Sequence, residues 1–215
     1  MKMMIPIIIF MISCLLFSFS SSQPSMFDFC VADHTLPFGP AGYSCKNPLM
    51  VNVNDFSSSG ILNAPNTDNI YKAGLSTAFV DAIPGLNGLG ISLARVDVQP
   101  GGVVPLHTHP DATEVITMLR GNLTVGFISS NNTVYVKSIG TGDVFVIPRG
   151  LLHFQVNSGI NLSVAIAAFS SSNPNTQIVD EALFKSNLAT KIITATTFIN
   201  PIEVLRLKLL FKGSG

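Results

Sequence analysis

From Gly88 onward the chain is written in short apolar runs separated by turn residues. Ile91, Leu93, Val96 and Val98 alternate with small or polar neighbours, and Gly101-Gly102 ends that run. Val115 to Leu119, Leu123 to Ile128, Thr133 to Ile139, Val144 to Ile147, Phe154 to Val156 and Leu162 to Phe169 follow, most of them parted by Gly, Asn, Asp or Pro. Many short β-rich runs with turn signals between them predict an all-β sandwich or barrel. Residues 60–85 mix Gly, Asn and Pro with short apolar pieces and carry no helical period.

Beyond Asn173-Pro174 the pattern turns helical. Asp180-Glu181 opens a short segment with Leu183 and Phe184, and residues 188–196 could form another short helix. Asn200-Pro201-Ile202-Glu203 is a helix start: Asn200 caps, Pro201 suits the first helical position, and Glu203 can reach back to the cap. The spacing predicts a helix to about Lys212 with Gly213 as its stop. Its apolar residues, Ile202, Val204, Leu205, Leu207, Leu209, Leu210 and Phe211, cover more than one stripe. Such a helix is expected to be buried on several sides, by the barrel and by another subunit.

Composition narrows the function classes. Only 11% of the 215 residues are charged, 12 basic against 12 acidic, while 47% are apolar. Nucleic-acid binding rests on clustered Lys and Arg, which this chain lacks. It is too apolar for a disordered chain. Part of the apolar excess is local: Lys2, then the nearly continuous apolar run Ile5 to Phe19, then Ser20-Ser-Ser22 describe a secretory signal over residues 1–22. The run is too short to span a bilayer, and no later stretch would span one. Removing residues 1–22 leaves 11 basic and 12 acidic residues.

Secretion gives meaning to other residues. Cys14 leaves with the signal, and Cys30 and Cys45 remain. In an oxidising compartment they can bridge each other and staple an N-terminal segment; free thiols or an intersubunit bridge are the alternatives. Asn122-Leu-Thr124, Asn131-Asn-Thr133 and Asn161-Leu-Ser163 fit the N-glycan acceptor pattern. Asn131 lies in a polar run that reads as a hairpin tip, whereas Asn122 and Asn161 lie beside strands and could be shielded.

Candidate chemistry concentrates in two glycine-bounded motifs. The first runs from Gly101 through His107, His109 and Glu114 to Gly121; the second runs from Gly142 through Pro148, Gly150 and His153 to Asn157. Histidines two apart on a strand share a face, roughly 6–7 Å apart, and can grip one metal ion. Glu114, after the bend at Pro110, can bring a carboxylate, and His153 a third imidazole. His34 stands apart and reads as an ordinary surface or core residue. Such a ligand set suits Mn, Fe(II), Zn or Cu without selecting among them.

These two motifs match the cupin signatures G-x5-H-x-H-x4-E-x6-G and G-x5-P-x-G-x2-H-x3-N. The chain also resembles plant germin-like proteins over about residues 27–213, through Phe29-Cys30-Val-Ala-Asp33, Gly39 to Cys45, Gly88-Leu-Gly-Ile-Ser92, Pro148 to Gln155 and Phe169 to Pro174. The likeness is greatest to the branch described as auxin-binding. The resemblance implies a single cupin jelly-roll β-barrel with a C-terminal α-helical extension. It divides the chain into a signal peptide (1–22), a disulfide-stapled segment (23–60), the barrel (61–175) and a helical extension for oligomerisation (176–215). It implies the disulfide Cys30–Cys45, a homo-hexamer built as a trimer of dimers, and Mn(II) held by His107, His109, Glu114 and His153. Four protein ligands would leave two positions of an octahedral ion open to water, superoxide or a carboxylate.

The activity implied is less uniform. Germins that oxidise oxalate carry two asparagines near the substrate, where this chain has Ala94 and Val104. A small dianion needs such partners, so oxalate oxidation is not expected. Asp111 is expected to place an acid at the pocket mouth, which would also disfavour anions. Superoxide dismutation, known among germin-like proteins, needs only a redox metal, an open position and protons. The other reading is a non-enzymatic metal-containing binding or cell-wall protein, including one that binds an auxin-like carboxylate. Family membership also brings an apoplastic location and an association with plant defence.

Overall fold

In a computed structural model, which describes residues 28–215, the alternating runs become strands. The expected signal peptide, Cys14 and the first residues of the stapled segment lie outside the described residues. Ten strands occur among the described residues: β1 (Ala73–Ala78), β2 (Ser92–Val98), β3 (Val103–Thr108), β4 (Glu114–Arg120), β5 (Asn122–Ile128), β6 (Val134–Gly140), β7 (Val144–Ile147), β8 (Leu152–Val156), β9 (Ser163–Phe169) and β10 (Gln177–Ile178). They form two five-stranded antiparallel sheets, β1-β2-β9-β4-β7 and β10-β3-β8-β5-β6. The inner faces meet in one core that includes Val98, Ile116, Met118, Leu123, Val125, Ile139 and Ile147. The all-β expectation holds, with the jelly-roll order that the two motifs imply.

Three strands lie outside the runs read from the pattern: β3, which contains Pro105, and the edge strands β1 and β10. β1 reads Ala-Gly-Leu-Ser-Thr-Ala, with one large apolar side chain, Leu75, that stays half-exposed. It is a strand because its backbone pairs with β2 from Ala73↔Val98 to Ala78↔Leu93. β10 has two residues and exists by pairing with β3 at Thr108 and His107. Both lie at the edges where the two sheets open from one another, and tertiary pairing rather than propensity makes them.

The N-terminal segment is fastened to this barrel by covalent and polar contacts. Cys30 and Cys45 are bonded, with their Cα atoms 4.9 Å apart. The Asn87 side chain bonds both main-chain groups of Tyr43, accepting from its N–H at 3.1 Å and donating to its carbonyl at 2.8 Å. Lys46 pairs with Asp55 at 2.9 Å. At the other end of the barrel, Asn157 is fully buried; its amide donates to the carbonyls of Val98 and Asn161, both at 2.8 Å. The last residue of the second motif is therefore a fastener between strands rather than part of a site.

The C-terminal helices are α1 (Val179–Phe184), α2 (Thr190–Thr197) and α3 (Pro201–Phe211). Asn200 caps α3 by accepting from the Ile202 N–H at 2.9 Å. Glu203 does not return to the cap, because Arg206 holds its carboxylate at 2.6 Å. The left-handed terminal residue is Lys212 (φ 60°), one before the expected Gly213. Gly213 is required for a different reason: a Cβ there would lie 2.0 Å from the Phe184 carbonyl. The buried side of α3 packs on the other helices, with Phe184, Ile193 and Val204 forming a separate small core. Val204 is fully buried while Ile202 and Leu209 are 78% and 82% exposed, so the barrel does not cover the second apolar side of α3. No helix among the described residues is long and apolar enough to cross a membrane.

All three sequon asparagines, Asn122, Asn131 and Asn161, are exposed, so neither strand-flanking site is shielded within the chain. Asn131 does sit in the β5–β6 turn, where its Oδ1 accepts from the Thr133 N–H at 3.2 Å.

Opening the Cys30–Cys45 loop should cost roughly 3 kcal/mol of unfolding free energy in the chain-entropy account. Urea unfolding of the Cys30→Ala/Cys45→Ala variant against the parent measures it. A change below about 0.5 kcal/mol would show that Asn87 and Lys46 alone hold the segment.

Candidate metal centre

The geometry of the site starts with a strand that cannot pair regularly. Pro105 has no N–H to donate, and the β3–β8 register shifts between Val104 and His107. Three steps on β3, from Val104 to His107, match two on β8, from Gln155 to His153. That bulge turns the His107 side chain inward, directly opposite His153. Their ring centroids lie 3.9 Å apart. His109 falls one residue beyond β3, yet its ring centroid is 5.1 Å from that of His107 and 5.3 Å from that of His153. Glu114 opens β4 in the other sheet and brings its carboxylate across the barrel. The two motifs are tied together at the turn before β8. Gly150, at φ +75°, donates its N–H to the His109 carbonyl at 3.1 Å and accepts from Thr108 Oγ1 at 2.8 Å.

The candidate ligand atoms of His107, His109, Glu114 and His153 all lie within 4.8 Å of one another, and all four residues are buried. Each imidazole is oriented by its outer nitrogen. Nδ1 of His107 meets the Pro105 carbonyl at 2.8 Å, that of His153 the Leu151 carbonyl at 2.8 Å, and that of His109 the Asn175 carbonyl at 2.7 Å. A carbonyl can only accept, so Nδ1 carries the proton in all three rings and Nε2 is left with a lone pair. Those Nε2 atoms face the Glu114 carboxylate, His153 at 2.9 Å and His109 at 3.4 Å. Lone pairs and an anion cannot converge in a buried site unless a proton or a metal cation lies among them. The donor set therefore fits a metal ion held by these four residues, as expected from their spacing.

The electrostatics agree. Burial lowers His107 to about 4, with the charge of His153 as the next cause, so it is neutral in mildly acidic solution. Burial would raise Glu114, but a proton between its carboxylate and the His109 and His153 rings outweighs burial and holds the group at about 2, and a metal cation would take the place of that proton. A neutral imidazole and an ionised carboxylate are the forms that bind a metal.

A cavity of about 320 Å³ opens beside the cluster, walled by His107, His109 and Glu114 and otherwise mainly by apolar side chains that include Leu75, Phe79, Val96 and Phe169. Val104 lines it, as expected from the sequence, but Ala94 does not: it is fully buried in the core between Thr77 and Ala167. Asp111 is also absent from this wall. Its carboxylate accepts from Ser171 Oγ at 3.3 Å and the Asn175 N–H at 3.4 Å, bordering a separate polar cleft. The acid expected at the mouth instead holds the loop that supplies the carbonyl to His109. Sequence reasoning also missed two cavity residues, Tyr71 and Gln155. Gln155 could have been found two positions after His153, on the same strand face; Tyr71 carried no signal.

Comparison with known proteins gives a consistent picture. Residues 59–204 match the family model described as Cupin. A germin-like protein of Morus alba is 53% identical over 197 residues, covering 92% of this chain and 94% of its own. An auxin-binding protein of Prunus persica is also 53% identical, over 196 residues, covering 91% of this chain and 94% of its own. A solved structure from work on the mechanism of oxalate oxidase superposes with a TM-score of 0.82 at 36% identity, covering 86% of this chain and 96% of that one.

The lowered His107 makes a testable contribution to stability. A group that binds its proton more readily unfolded than folded adds stability as pH rises between the two values. Metal-free protein should therefore lose on the order of 3 kcal/mol from this residue as pH falls from the usual histidine range to about 4. Urea unfolding in chelator from pH 7 to pH 4 reads the slope, and His107→Gln should flatten it. An equal slope in that variant would mean another group governs acid sensitivity.

Proposed function

This chain belongs to the cupin family, in its germin-like branch, and from that membership we propose that it is a secreted, manganese-holding protein that dismutes superoxide. One observation carries the reading: three Nε2 lone pairs and one carboxylate converge in a buried site, each imidazole fixed by a main-chain carbonyl. Bound Mn(II) would supply a one-electron couple, so that two superoxide ions and two protons become dioxygen and hydrogen peroxide. The protein's own part is to hold His107, His109, Glu114 and His153 as a preset ligand cage and to keep the Nδ1 protons of the three imidazoles engaged on carbonyls. The cavity gives a small anion a route to the centre while its apolar walls limit water.

Oxalate oxidation is not proposed. The cavity wall carries Val104 where a polar partner is expected, and Ala94 lies in the core, so neither position gives a hydrogen bond to the second carboxylate of oxalate. The same wall favours a second reading, the binding of a monocarboxylic acid with an apolar body of auxin type. A cavity of about 320 Å³ has room for one aromatic ring with its side chain.

Secretion to the apoplast or cell wall is supported by the leader-like residues 1–22, the disulfide and the exposed sequons. Assembly into a hexamer as a trimer of dimers is supported by the bare apolar side of α3, where Ile202, Leu205 and Leu209 face outward. In this reading residues 23–60 form the stapled segment, 61–175 the barrel and 176–215 the assembly arm.

Metal analysis of the secreted protein should find about one manganese per chain, and none in His109→Ala. Superoxide dismutation should fall at least about a hundredfold in that variant, given the typical weight of a lost metal ligand or its supports. Equal activity in both proteins would place the activity elsewhere. Titration calorimetry with indole-3-acetate should give heat for the metal-loaded protein, and no heat at millimolar acid would end the carboxylate reading.

A further inference from the structure

Away from the metal cluster the cavity wall is mainly apolar, with polar side chains at Tyr71, Thr77, Gln155 and Thr176. Gln155 lies on β8 two residues after His153, roughly 7 Å along the strand, and is paired with Val104. Its side chain is 3% exposed and lines the cavity, yet its Nε2 has no hydrogen-bond partner among the described residues. Tyr71 precedes β1 and lines the same cavity; its carbonyl accepts from the Val103 N–H at 2.8 Å, which sets it beside the Gln155–Val104 rung. Its hydroxyl is likewise buried without a partner. The ring is backed by Phe211 of α3, centroid to centroid 6.4 Å.

Buried polar groups are almost always satisfied, and an orphan costs more than a hydrogen bond gains. Two orphans on the wall of one cavity, at the level of one ladder rung, suggest that what fills the cavity completes them. Burial, with Glu181 and Asp180 adding to it, pushes the Tyr71 hydroxyl up to about 12, so it stays protonated and can both give and accept a hydrogen bond. The unpartnered Gln155 Nε2 only donates, but a half-turn of the amide puts its acceptor Oε1 in the same place, where a ring N–H can give to it.

We propose that Tyr71 and Gln155 are the specificity-determining residues of this cavity, reading a polar ring atom on an aromatic acid whose carboxylate lies at the metal cluster. The inference rests on the carboxylate-binding reading above and adds what selects the ligand. The apolar walls pay no attention to a ring nitrogen; Thr176 Oγ1 meets His109 Nδ1 at 3.3 Å and Thr77 is exposed, so Tyr71 and Gln155 are the lining side chains with a buried polar atom that lacks a partner among the described residues. An acid whose polar atom lies roughly 5–7 Å from its carboxylate matches the spacing along β8 from His153 to Gln155.

The test compares indole-3-acetate with indene-3-acetate, which replaces the ring N–H by a CH2 at nearly the same volume. Both are titrated by calorimetry into manganese-loaded protein whose metal content has been measured. Wild type should bind the indole acid at least about tenfold more tightly, a typical effect of one lost buried hydrogen bond. Tyr71→Phe and Gln155→Met should each bring the ratio toward one while leaving indene-3-acetate affinity unchanged. Without ligand, Tyr71→Phe should have a thermal midpoint no lower than wild type, since it removes an orphan hydroxyl; a structural tyrosine would give a lower one. Should Gln155→Met fail to fold, Tyr71→Phe decides alone. Equal binding of the two acids by wild type, or an unchanged ratio in Tyr71→Phe, overturns the inference and leaves carboxylate binding standing. Absence of binding by both acids overturns the carboxylate reading itself and this inference with it.

Discussion

The β3–β8 ladder sets His107 directly across from His153, and the rest of the site is built around that rung. A slip of one residue would turn every side chain of the strand to its other face, sending the imidazoles outward and the apolar residues of β3 with them. Pro105 and the bulge it accompanies protect the register, because a position without an N–H cannot be moved along the ladder without unpairing a neighbour. The same proline supplies the carbonyl that orients the His107 ring. One residue thus places the ligand and selects its tautomer.

A second constraint follows from burial. Three imidazoles and a carboxylate, all at least nine-tenths buried, would ordinarily weaken a fold. Here the outer nitrogens are satisfied by main chain, so the unmet demand is confined to the centre, where a cation would meet it. The cost is carried by strands with strong cores on either side: Ile116 and Met118 follow Glu114 along β4, and Leu123 and Val125 face them from β5. The cavity beside the cluster exists because the facing wall is made of short side chains, Ala73, Val96 and Ala167 among them. Access to the cluster and core packing are therefore set by the same few positions.

The low charge also takes on a structural meaning. Closing strands around a core hides much of the apolar sequence, but α3 keeps a bare apolar side. Its other side is held by Phe184 and Ile193, so the three helices form their own small unit against the barrel. Lys208, buried in this unit, gives its ammonium to the main-chain carbonyls of Ser186 and Ser214, which ties the chain end back onto α3. So fastened, the arm holds Ile202 and Leu209 on its exposed side.

Sequence alone determined the strands β2 and β4 to β9, the capped start of α3 and the four candidate ligands, because alternation, turn residues and ligand spacing are local properties that survive without knowledge of the fold. It did not determine β1 or β10, whose residues have little strand character and which exist only through their partners. Ala94 was read as a pocket residue from likeness to the oxalate-oxidising germins, and Asp111 from its place beside the first motif; the tertiary structure placed one in the core and used the other to hold the loop behind His109. Tyr71 went unseen for the converse reason. It lies 36 residues before His107, and only the pairing of its carbonyl with Val103 brings it to the cavity. Ligand identity is written in short-range spacing, whereas the walls of a cavity are assembled from strands far apart in sequence, and those are decided by how the sheets close.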